Sequence, residues 1–335
     1  MNTDWLQIDA KGDVPKYEQI VNGVTSAIRS KALRKGVGMP SISKVSDEYD
    51  LARETVAKAY RRLRSRGIIH SIPSKGYYVA SESIEHTVRV FLLLNAFNLD
   101  NRVLYEAFHQ RLGDQAQVDL FFHHYNIDEF KRLIRDNAGK YEMYVVKPFD
   151  HESMPEILRE VEQKELLILD RKDHLNEEFS YIGQDFDNAV FDCLESETKR
   201  FLRYAEINVI CPSSMQHPVA TLNAIKRFCR HHKITYRLCR GVEGLKAKKG
   251  VVYFSFFDED LAVLLEKCEA SDFRIGRDVG IVAYNDTPLK KYIAGGLTVI
   301  STNFQQMGQS AADFVLDRTV RERVIPTSLI IRKSL

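Results

Sequence analysis

The sequence has few cysteines and no long apolar run, and both features narrow the class of protein. Its five cysteines, Cys193, Cys211, Cys229, Cys239 and Cys268, are odd in number and irregularly spaced. Such cysteines predict buried thiols in a reducing compartment and not a disulfide framework. No stretch approaches the ~18 apolar residues of a membrane span, and no N-terminal segment has the pattern of a secretory signal. We therefore expect a cytoplasmic protein with no membrane association.

Motifs for phosphate binding, nucleophilic catalysis and metal-dependent hydrolysis are also missing. The sequence contains no GxSxG elbow, Walker loop, GxGxxG turn or HExxH pair. Histidines and cysteines cluster between Cys229 and Cys239, but without the CxxC or HxxxH spacing that brings ligands to one ion. His123 and His124 are adjacent in a predicted strand, where neighbouring side chains point to opposite faces. We expect no metal, no cofactor and no enzymatic activity.

Charge is unevenly distributed along a chain of ordinary globular composition. Of the 335 residues, 44% are hydrophobic and 28% are charged. At roughly 100–200 residues per domain, this length predicts two or three domains. The formal net charge is +2, yet residues 1–80 carry +6 and residues 81–335 carry −4. The N-terminal segment is therefore the part of the chain suited to a polyanion.

The first eighty residues have the pattern of a helix-turn-helix. Apolar residues recur every three or four positions after Pro15, which predicts an amphipathic helix that ends near Gly36. Ser41 is a candidate N-cap for a short helix that breaks at Asp50 and Leu51. A second helix should begin near Ala52.

That second helix is basic, and a predicted wing follows it. The helix leaves polar and basic residues exposed: Arg53, Thr55, Lys58, Arg61, Arg62 and Arg64. Two β-like runs, at residues 68–70 and 77–79, then flank a turn. A basic helix can enter the major groove of DNA while its neighbours neutralise phosphates. The alternative is a solvated basic face, but the order of three helices and a wing favours nucleic acid.

Motifs in this segment resemble the GntR-type winged-helix domain. They are PKYEQI at 15–20, MPS at 39–41, RETVAKAYRRL at 53–63, RGII at 66–69 and KGYYV at 75–79. The resemblance implies that the protein binds operator DNA as a homodimer. The residues that it places near DNA are Ser41, Lys44, Arg53, Thr55, Lys58, Arg61, Lys75 and Gly76. The chain departs from the family pattern at Ile42 and Ser43, where many members have an acidic-basic pair.

Beyond a polar linker at residues 81–86, apolar runs alternate with helical patterns to the end of the chain. The runs cover residues 88–94, 118–122, 142–146, 166–169, 207–211, 234–238, 251–254 and 280–284. This alternation predicts an α/β fold whose parallel sheets are covered by helices on both faces. In open sheets of this kind, ligands bind beyond the carboxyl ends of the strands.

Polar or aromatic residues follow nearly every one of these runs. They are Asn95, Phe97, His123, Tyr125, Lys147, Asp170, Ser213, His217, Asp258 and Asn285. Strand ends are often polar simply because loops begin there. Carboxylates, amides and an aromatic ring around one cleft nevertheless suit a small polyhydroxylated ligand, whose hydroxyls need partners and whose ring can stack.

The last third of the chain resembles the effector domain of LacI/GalR-type regulators and the related periplasmic sugar-binding proteins. The motifs are DVGIVAYND at 278–286, GLTVI at 296–300, MGQSAA at 307–312 and IPTSLI at 325–330. The resemblance implies two Rossmann-like lobes within residues 87–335, joined by crossovers near 183, 298 and 322. Lobe one would contain residues 87–183 and 299–322, and lobe two would contain 184–298 and 323–335.

The same resemblance implies specific effector contacts. Asp170, Asp185, Asp258 and Asn285 match positions that commonly bind the effector, while Thr221 stands where an arginine is common. Together the two resemblances imply a homodimeric repressor of carbohydrate-utilisation genes. A monosaccharide or derivative bound between the lobes would release it from operator DNA.

Three alternatives remain beside this hypothesis. The ligand could activate transcription instead of relieving repression, or it could be something other than a sugar. Some GntR-type proteins are fused to an aminotransferase-like domain that binds pyridoxal phosphate. That domain is longer than the remaining chain, and it requires a Schiff-base lysine in its own sequence context.

Overall fold

The N-terminal segment folds as a winged helix. A computed structural model describes residues 3, 5–9, 14–81, 87–175, 179–212, 218–318 and 322–335. The elements of the winged helix are α1 (Lys16–Arg29), α2 (Ile42–Glu48), α3 (Arg53–Ser65), β1 (Ile69–Ile72) and β2 (Gly76–Val79). Strands β1 and β2 pair in antiparallel orientation and form the predicted wing.

Local capping explains where these helices begin and end. The Ser41 side chain accepts a hydrogen bond from the Lys44 backbone N–H at 3.1 Å, which is the N-cap that the sequence predicted. Helix α1, in contrast, ends at Arg29 and does not extend to the neighbourhood of Gly36. Leu33 is buried in the core of the winged helix, so the chain must turn back before residue 36.

Two six-stranded sheets follow, and each forms the centre of one lobe. The first has the spatial order β13 (Glu322–Val324), β7 (Ser180–Gly183), β6 (Leu166–Asp170), β5 (Met143–Val146), β3 (Val88–Leu94) and β4 (Ala116–Phe122). The second has the order β14 (Thr327–Ile330), β12 (Thr298–Thr302), β11 (Gly280–Tyr284), β10 (Val251–Ser255), β8 (Glu206–Ile210) and β9 (Thr235–Cys239). Strand β14 is antiparallel to β12, and the other paired strands are parallel.

Helices cover both faces of each sheet. They are α4 (Leu99–Leu112), α5 (Ile127–Asn137), α6 (Met154–Leu158), α7 (Asn188–Ser196), α8 (Thr198–Phe201), α9 (Val219–His232), α10 (Asp258–Ala270) and α11 (Phe304–Asp317). In strand β3 the residues after Arg89 are all apolar, because both faces of the strand are covered. Val90 and Leu92 pack into one core and Phe91 and Leu93 into another, on opposite faces of the sheet. The predicted α/β fold class is confirmed.

The chain crosses between the lobes after β7, after β12 and after β13. The crossover expected near residue 298 therefore lies after Thr302, because β12 pairs with β11 in the second sheet. Helix α11 then packs against α4 of lobe one at Gly308. A side chain at this position would clash with the backbone carbonyl oxygen of Leu104, so the close contact between the helices requires glycine. Within the described residues, no helix combines the length and apolarity needed to span a membrane.

Candidate functional site

A cleft of about 460 Å³ lies between the two lobes, at the carboxyl ends of the strands. Six of the residues predicted from strand ends line it: Asn95, Tyr125, Lys147, Asp170, Asp258 and Asn285. The first four belong to lobe one and the last two to lobe two. Other lining residues were not expected from the sequence, among them Asp100, Arg171, Gln184, Phe257 and Lys290.

A buried ion pair forms the floor of the cleft in lobe one. Lys147 Nζ lies 2.9 Å from Asp170 Oδ2, and both side chains are only 9% exposed. Burial opposes ionisation of both groups, yet Lys147 holds the pKa of Asp170 below its usual value. Asp170 in turn raises the pKa of Lys147. Both groups are therefore charged at neutral pH.

Hydrogen bonds extend this ion pair to lobe two. Gln184 Nε2 donates to Asp170 Oδ1 at 2.5 Å, and Thr302 Oγ1 donates to Gln184 Oε1 at 2.6 Å. Gln184 directly follows β7, and Thr302 ends β12 of the other sheet. On its other side, Lys147 Nζ donates to Asn101 Oδ1 at 3.3 Å. The two lobes therefore share one polar network beneath the cleft.

A second contact joins the lobes directly across the cleft. Asn285 Nδ2 of lobe two donates to Asp100 Oδ2 of lobe one at 2.5 Å. Burial raises the pKa of Asp100. Asn285 Oδ1 is buried and accepts no hydrogen bond from any described residue. A ligand hydroxyl that donated to this oxygen would therefore satisfy a buried acceptor.

Lys290 fixes the loop that carries Asn285. Its Nζ donates to the backbone carbonyl oxygens of Tyr284 and Asn285, each at 2.9 Å. The same ammonium lies 2.9 Å from Asp258 Oδ1, whose side chain is 67% exposed at the start of α10. Asp258 thus presents a solvent-accessible carboxylate at the cleft while Lys290 compensates its charge.

Two of the predicted effector residues of lobe one lie outside the cleft lining. Phe97 is 77% exposed and makes an edge contact with Phe122. His123 is fully buried, and burial lowers its pKa to about 4. Its Nδ1 accepts from the Tyr125 N–H at 3.1 Å and its Nε2 donates to the Lys147 carbonyl oxygen at 3.0 Å. His123 therefore supports two lining residues from behind.

The remaining predicted residues belong to lobe two. The Asp185 carboxylate accepts from the backbone N–H groups of Asp187 and Asn188, so it caps α7 and does not line the cleft. Thr221 is fully buried on α9 and is not among the cleft-lining residues. Ser213 and His217 lie outside the described residues.

The winged helix leaves most of the predicted DNA-contacting residues accessible. Ser41, Lys44, Arg53, Lys75 and Gly76 are exposed. Arg53 Nη2 donates to Ser43 Oγ at 2.9 Å, which positions the guanidinium at the start of α3. Gly76 has a φ of 102° at the tip of the wing, a conformation that favours glycine. Thr55 is half-buried on α3.

Lys58 and Arg61 lie in a different environment. They line a groove of about 460 Å³ between the winged helix and lobe one, which we call the interdomain groove. Lys58 Nζ lies 4.7 Å from the ring centroid of Tyr17, and Arg61 pairs with Glu54 at 2.5 Å. In this arrangement both cations line a groove that lobe one borders, and the Arg61 side chain is still 45% exposed.

Ion pairs fasten the recognition helix α3 to lobe one beside this groove. The Glu142 side chain is fully buried, and its Oε2 lies 3.5 Å from both Arg62 and Arg66. Arg62 also lies 3.5 Å from Glu165. Glu142 directly precedes β5, whose far end is followed by Lys147. Glu165 directly precedes β6, and Asp170 is the last residue of that strand. The neighbouring strands β5 and β6 therefore run from the winged helix at one end to the cleft at the other.

Comparison with known families agrees with this division of the chain. Residues 16–79 match the family described as bacterial regulatory proteins, gntR family. Residues 202–335 match the periplasmic binding protein-like domain. The HTH-type transcriptional regulator Rv1152 of Mycobacterium tuberculosis is 31% identical over 77 residues, which are 23% of this chain and 64% of that protein. The chain spans less than two thirds of the length of the first curated relatives that it matches.

Solved structures match the remainder of the fold. A trehalose repressor from Escherichia coli is 14% identical with a TM-score of 0.60, and the match covers 72% of this chain and 99% of that one. A LacI family transcriptional regulator from Lactobacillus casei, solved with bound glucose, is 14% identical with a TM-score of 0.60. That match covers 74% of this chain and 99% of the other. At this level of identity, the similarity shows the fold alone.

These matches define two domains of different family along the chain. The chain joins a GntR-type winged-helix DNA-binding domain to a periplasmic-binding-protein-like domain with the fold of LacI-family repressors. Both family resemblances stated from the sequence are therefore confirmed.

Proposed function

We propose that the protein is a transcriptional regulator whose winged helix binds operator DNA and whose cleft binds a monosaccharide or a sugar derivative. The observation that carries the ligand site is Oδ1 of Asn285, a buried acceptor without a partner among the described residues, on a residue that lines the cleft between the two lobes. Asp100 and Asp258 supply further acceptors for hydroxyl groups on either side of it.

The balance of charge in the cleft favours an uncharged ligand. Its three cations, Lys147, Arg171 and Lys290, each pair with a carboxylate. A phosphate group would add negative charge beside carboxylates that already neutralise these cations, whereas a hydroxyl group can join the existing networks. Tyr125 and Phe257 are 41% and 42% exposed and belong to opposite lobes, so each offers an apolar ring against the face of a sugar.

The proposed regulation is repression that the sugar relieves, in a homodimer. A twofold dimer would present two recognition helices to the half-sites of a palindromic operator. A ligand that binds the DNA-incompetent arrangement better by ~1–3 kcal/mol would weaken operator binding roughly 5–150-fold. Strands β5 and β6 support such coupling, because each has one end at α3 and the other at the cleft. In ligand-dependent activation, the sugar would make the same contacts but would bind the DNA-competent arrangement better.

A thermal-shift screen of sugars against the purified protein tests the ligand assignment. A sugar at 100 times its Kd should stabilise the folded protein by ~2.7 kcal/mol and raise its melting temperature. Asn285→Ala should weaken binding of that sugar several-fold, because a hydrogen bond of this kind contributes ~1 kcal/mol. Asn188→Ala is the matched control, since it removes an amide that does not line the cleft.

Two results would contradict this assignment. If no sugar raises the melting temperature while a nucleotide or an amino acid does, the ligand is not a carbohydrate. If a sugar binds but Asp258→Ala and Asn285→Ala both leave its affinity intact, the sugar does not bind in this cleft.

A further inference from the structure

A cluster of two histidines and one carboxylate lies on lobe two, outside the cleft lining. Glu195 is near the end of α7, and His231 and His232 are the last two residues of α9. Glu195 Oε1 lies 2.8 Å from His232 Nε2 and 3.3 Å from His231 Nδ1. We propose that these three side chains form a binding site for a divalent transition metal, with Zn²⁺ as the ion that fits them best.

The separations of the three atoms match the needs of a tetrahedral ion. Zinc binds imidazole nitrogen and carboxylate oxygen at about 2.0–2.2 Å, which places neighbouring ligands roughly 3.3–3.6 Å apart. The three candidate ligand atoms all lie within 4.8 Å of one another, and two of the separations are already at or below the tetrahedral value. The 2.8 Å contact between His232 and Glu195 is a hydrogen bond, which the ion would replace as these two side chains separate.

Packing directs both imidazoles toward the same carboxylate. Consecutive side chains on a helix normally diverge, but α9 ends at His232 and the next residue, Lys233, is left-handed. The His231 and His232 rings are stacked with centroids 4.7 Å apart. His232 also packs against Phe228, at 4.7 Å between centroids, which holds its ring in place. One ring presents Nδ1 and the other presents Nε2.

The donor set selects the class of metal. Two imidazole nitrogens and one carboxylate are typical zinc ligands, whereas Mg²⁺ and Ca²⁺ prefer oxygen ligands throughout. The nearby Cys229 is buried and is not among the three side chains whose ligand atoms lie within 4.8 Å of one another. His231 is 65% exposed, so a water molecule can complete the coordination.

One of the two arginines in the adjoining surface groove is neutralised by a carboxylate. That groove contains Arg227 and Arg230 together with Asp192. Arg227 is compensated by Asp187, at 2.9 Å between Nη1 and Oδ1. Glu195 therefore remains the anionic group at which the two imidazoles converge.

A bound ion would join α7 to α9. These two helices already pack against each other, and α7 is the first helix after the chain crosses from lobe one to lobe two. Binding only to the folded state would stabilise lobe two by mass action. The sequence could not reveal this site from motif spacing, because its carboxylate comes from a different helix.

Titration calorimetry with ZnCl₂ tests the site in the full chain, after removal of any histidine tag and of metals with EDTA. We expect one Zn²⁺ per chain, a raised melting temperature and no comparable effect of MgCl₂. His231→Ala and Glu195→Gln should each weaken binding by more than the 10–100-fold that is typical when an outer supporting group is lost.

His174→Ala provides the matched control. It removes another histidine that contacts a carboxylate, Asp150, at 2.8 Å on lobe one, and it should leave zinc binding unchanged. The proposal is wrong if one equivalent of Zn²⁺ fails to bind the wild type. It is equally wrong if His231→Ala and Glu195→Gln both bind zinc like the wild type. His231 is largely exposed, so His231→Ala should still fold, and a loss of zinc binding in this variant would report on the site itself.

Discussion

Replacing Lys147 by methionine should destabilise the protein by about 3–5 kcal/mol, because the substitution leaves Asp170 buried and charged without its counterion. Both side chains of this pair are only 9% exposed. The double variant Lys147→Met/Asp170→Asn should recover much of the loss, since no uncompensated charge remains. Urea unfolding at pH 7 measures all three free energies of unfolding.

Lys164→Met is the control for this prediction. Lys164 pairs with Glu162 at the same N–O distance of 2.9 Å, but both side chains are about half exposed. Exposed pairs contribute ~0–1 kcal/mol, so the control should change stability little. If Lys147→Met destabilises the protein no more than Lys164→Met, the buried pair does not hold lobe one together.

The Lys147–Asp170 ion pair should stabilise the protein only over a limited pH range. Asp170 has a lowered pKa in the folded state, so its contribution is present above the unfolded value of ~3.9 and is lost as pH falls through the folded value. Lys147 has a raised pKa, so its contribution is present below ~10.4 and is lost as pH rises through the folded value. The stability difference between the wild type and the double variant should therefore shrink at both extremes of pH.

Arg53→Ala should weaken binding to the preferred operator by about 1–3 kcal/mol, which is roughly 5–150-fold, if Arg53 reads a base. Arg53 is the first residue of α3 and is exposed, and its hydrogen bond to Ser43 leaves other guanidinium nitrogens for DNA. A duplex selected by the purified protein from random sequences supplies the operator for a mobility-shift titration.

Lys31→Ala is a suitable control for the loss of one positive charge, because Lys31 lies in the exposed turn after α1. It should produce a smaller change that does not depend on DNA sequence. Operator affinity that is unchanged in Arg53→Ala would show that Arg53 does not contact the operator. A loss equal on all duplexes, with a salt slope reduced by about 1, would make Arg53 a phosphate contact instead.

The long buried elements of the fold were predictable, and the short ones were not. The run predicted at Val88–Leu94 coincides with β3, and its buried part, Val90–Leu94, is entirely apolar because both faces of the strand are covered there. Strands β7 and β13 have only four and three residues, which is too short to show a period. The sequence predicts the end of α1 near Gly36, whereas the helix ends at Arg29, because Lys31 adopts a left-handed φ of 63° that a helix does not continue through.

The site was predictable where a strand end and the cleft coincide. Lys147 and Asn285 directly follow β5 and β11, so the strand-end rule finds them. Asp100 lies in the first turn of α4, and Gln184 follows a strand that the sequence did not reveal. His123 follows a strand but turns away from the cleft, because it supports the backbone of Lys147. Spacing along the chain carries no information about such contacts between distant segments.

Coupling between the cleft and the operator is the central claim, and fluorescence anisotropy of a labelled operator tests it most directly. Operator binding is titrated with and without the sugar found by thermal shift, for the wild type, Asn285→Ala and Glu142→Gln. The sugar should change wild-type operator affinity roughly 5–150-fold. It should have a much smaller effect on Asn285→Ala, which loses the ligand contact, and on Glu142→Gln, which weakens the link to α3. A sugar that binds the wild type, yet leaves its operator affinity unchanged, would contradict the account.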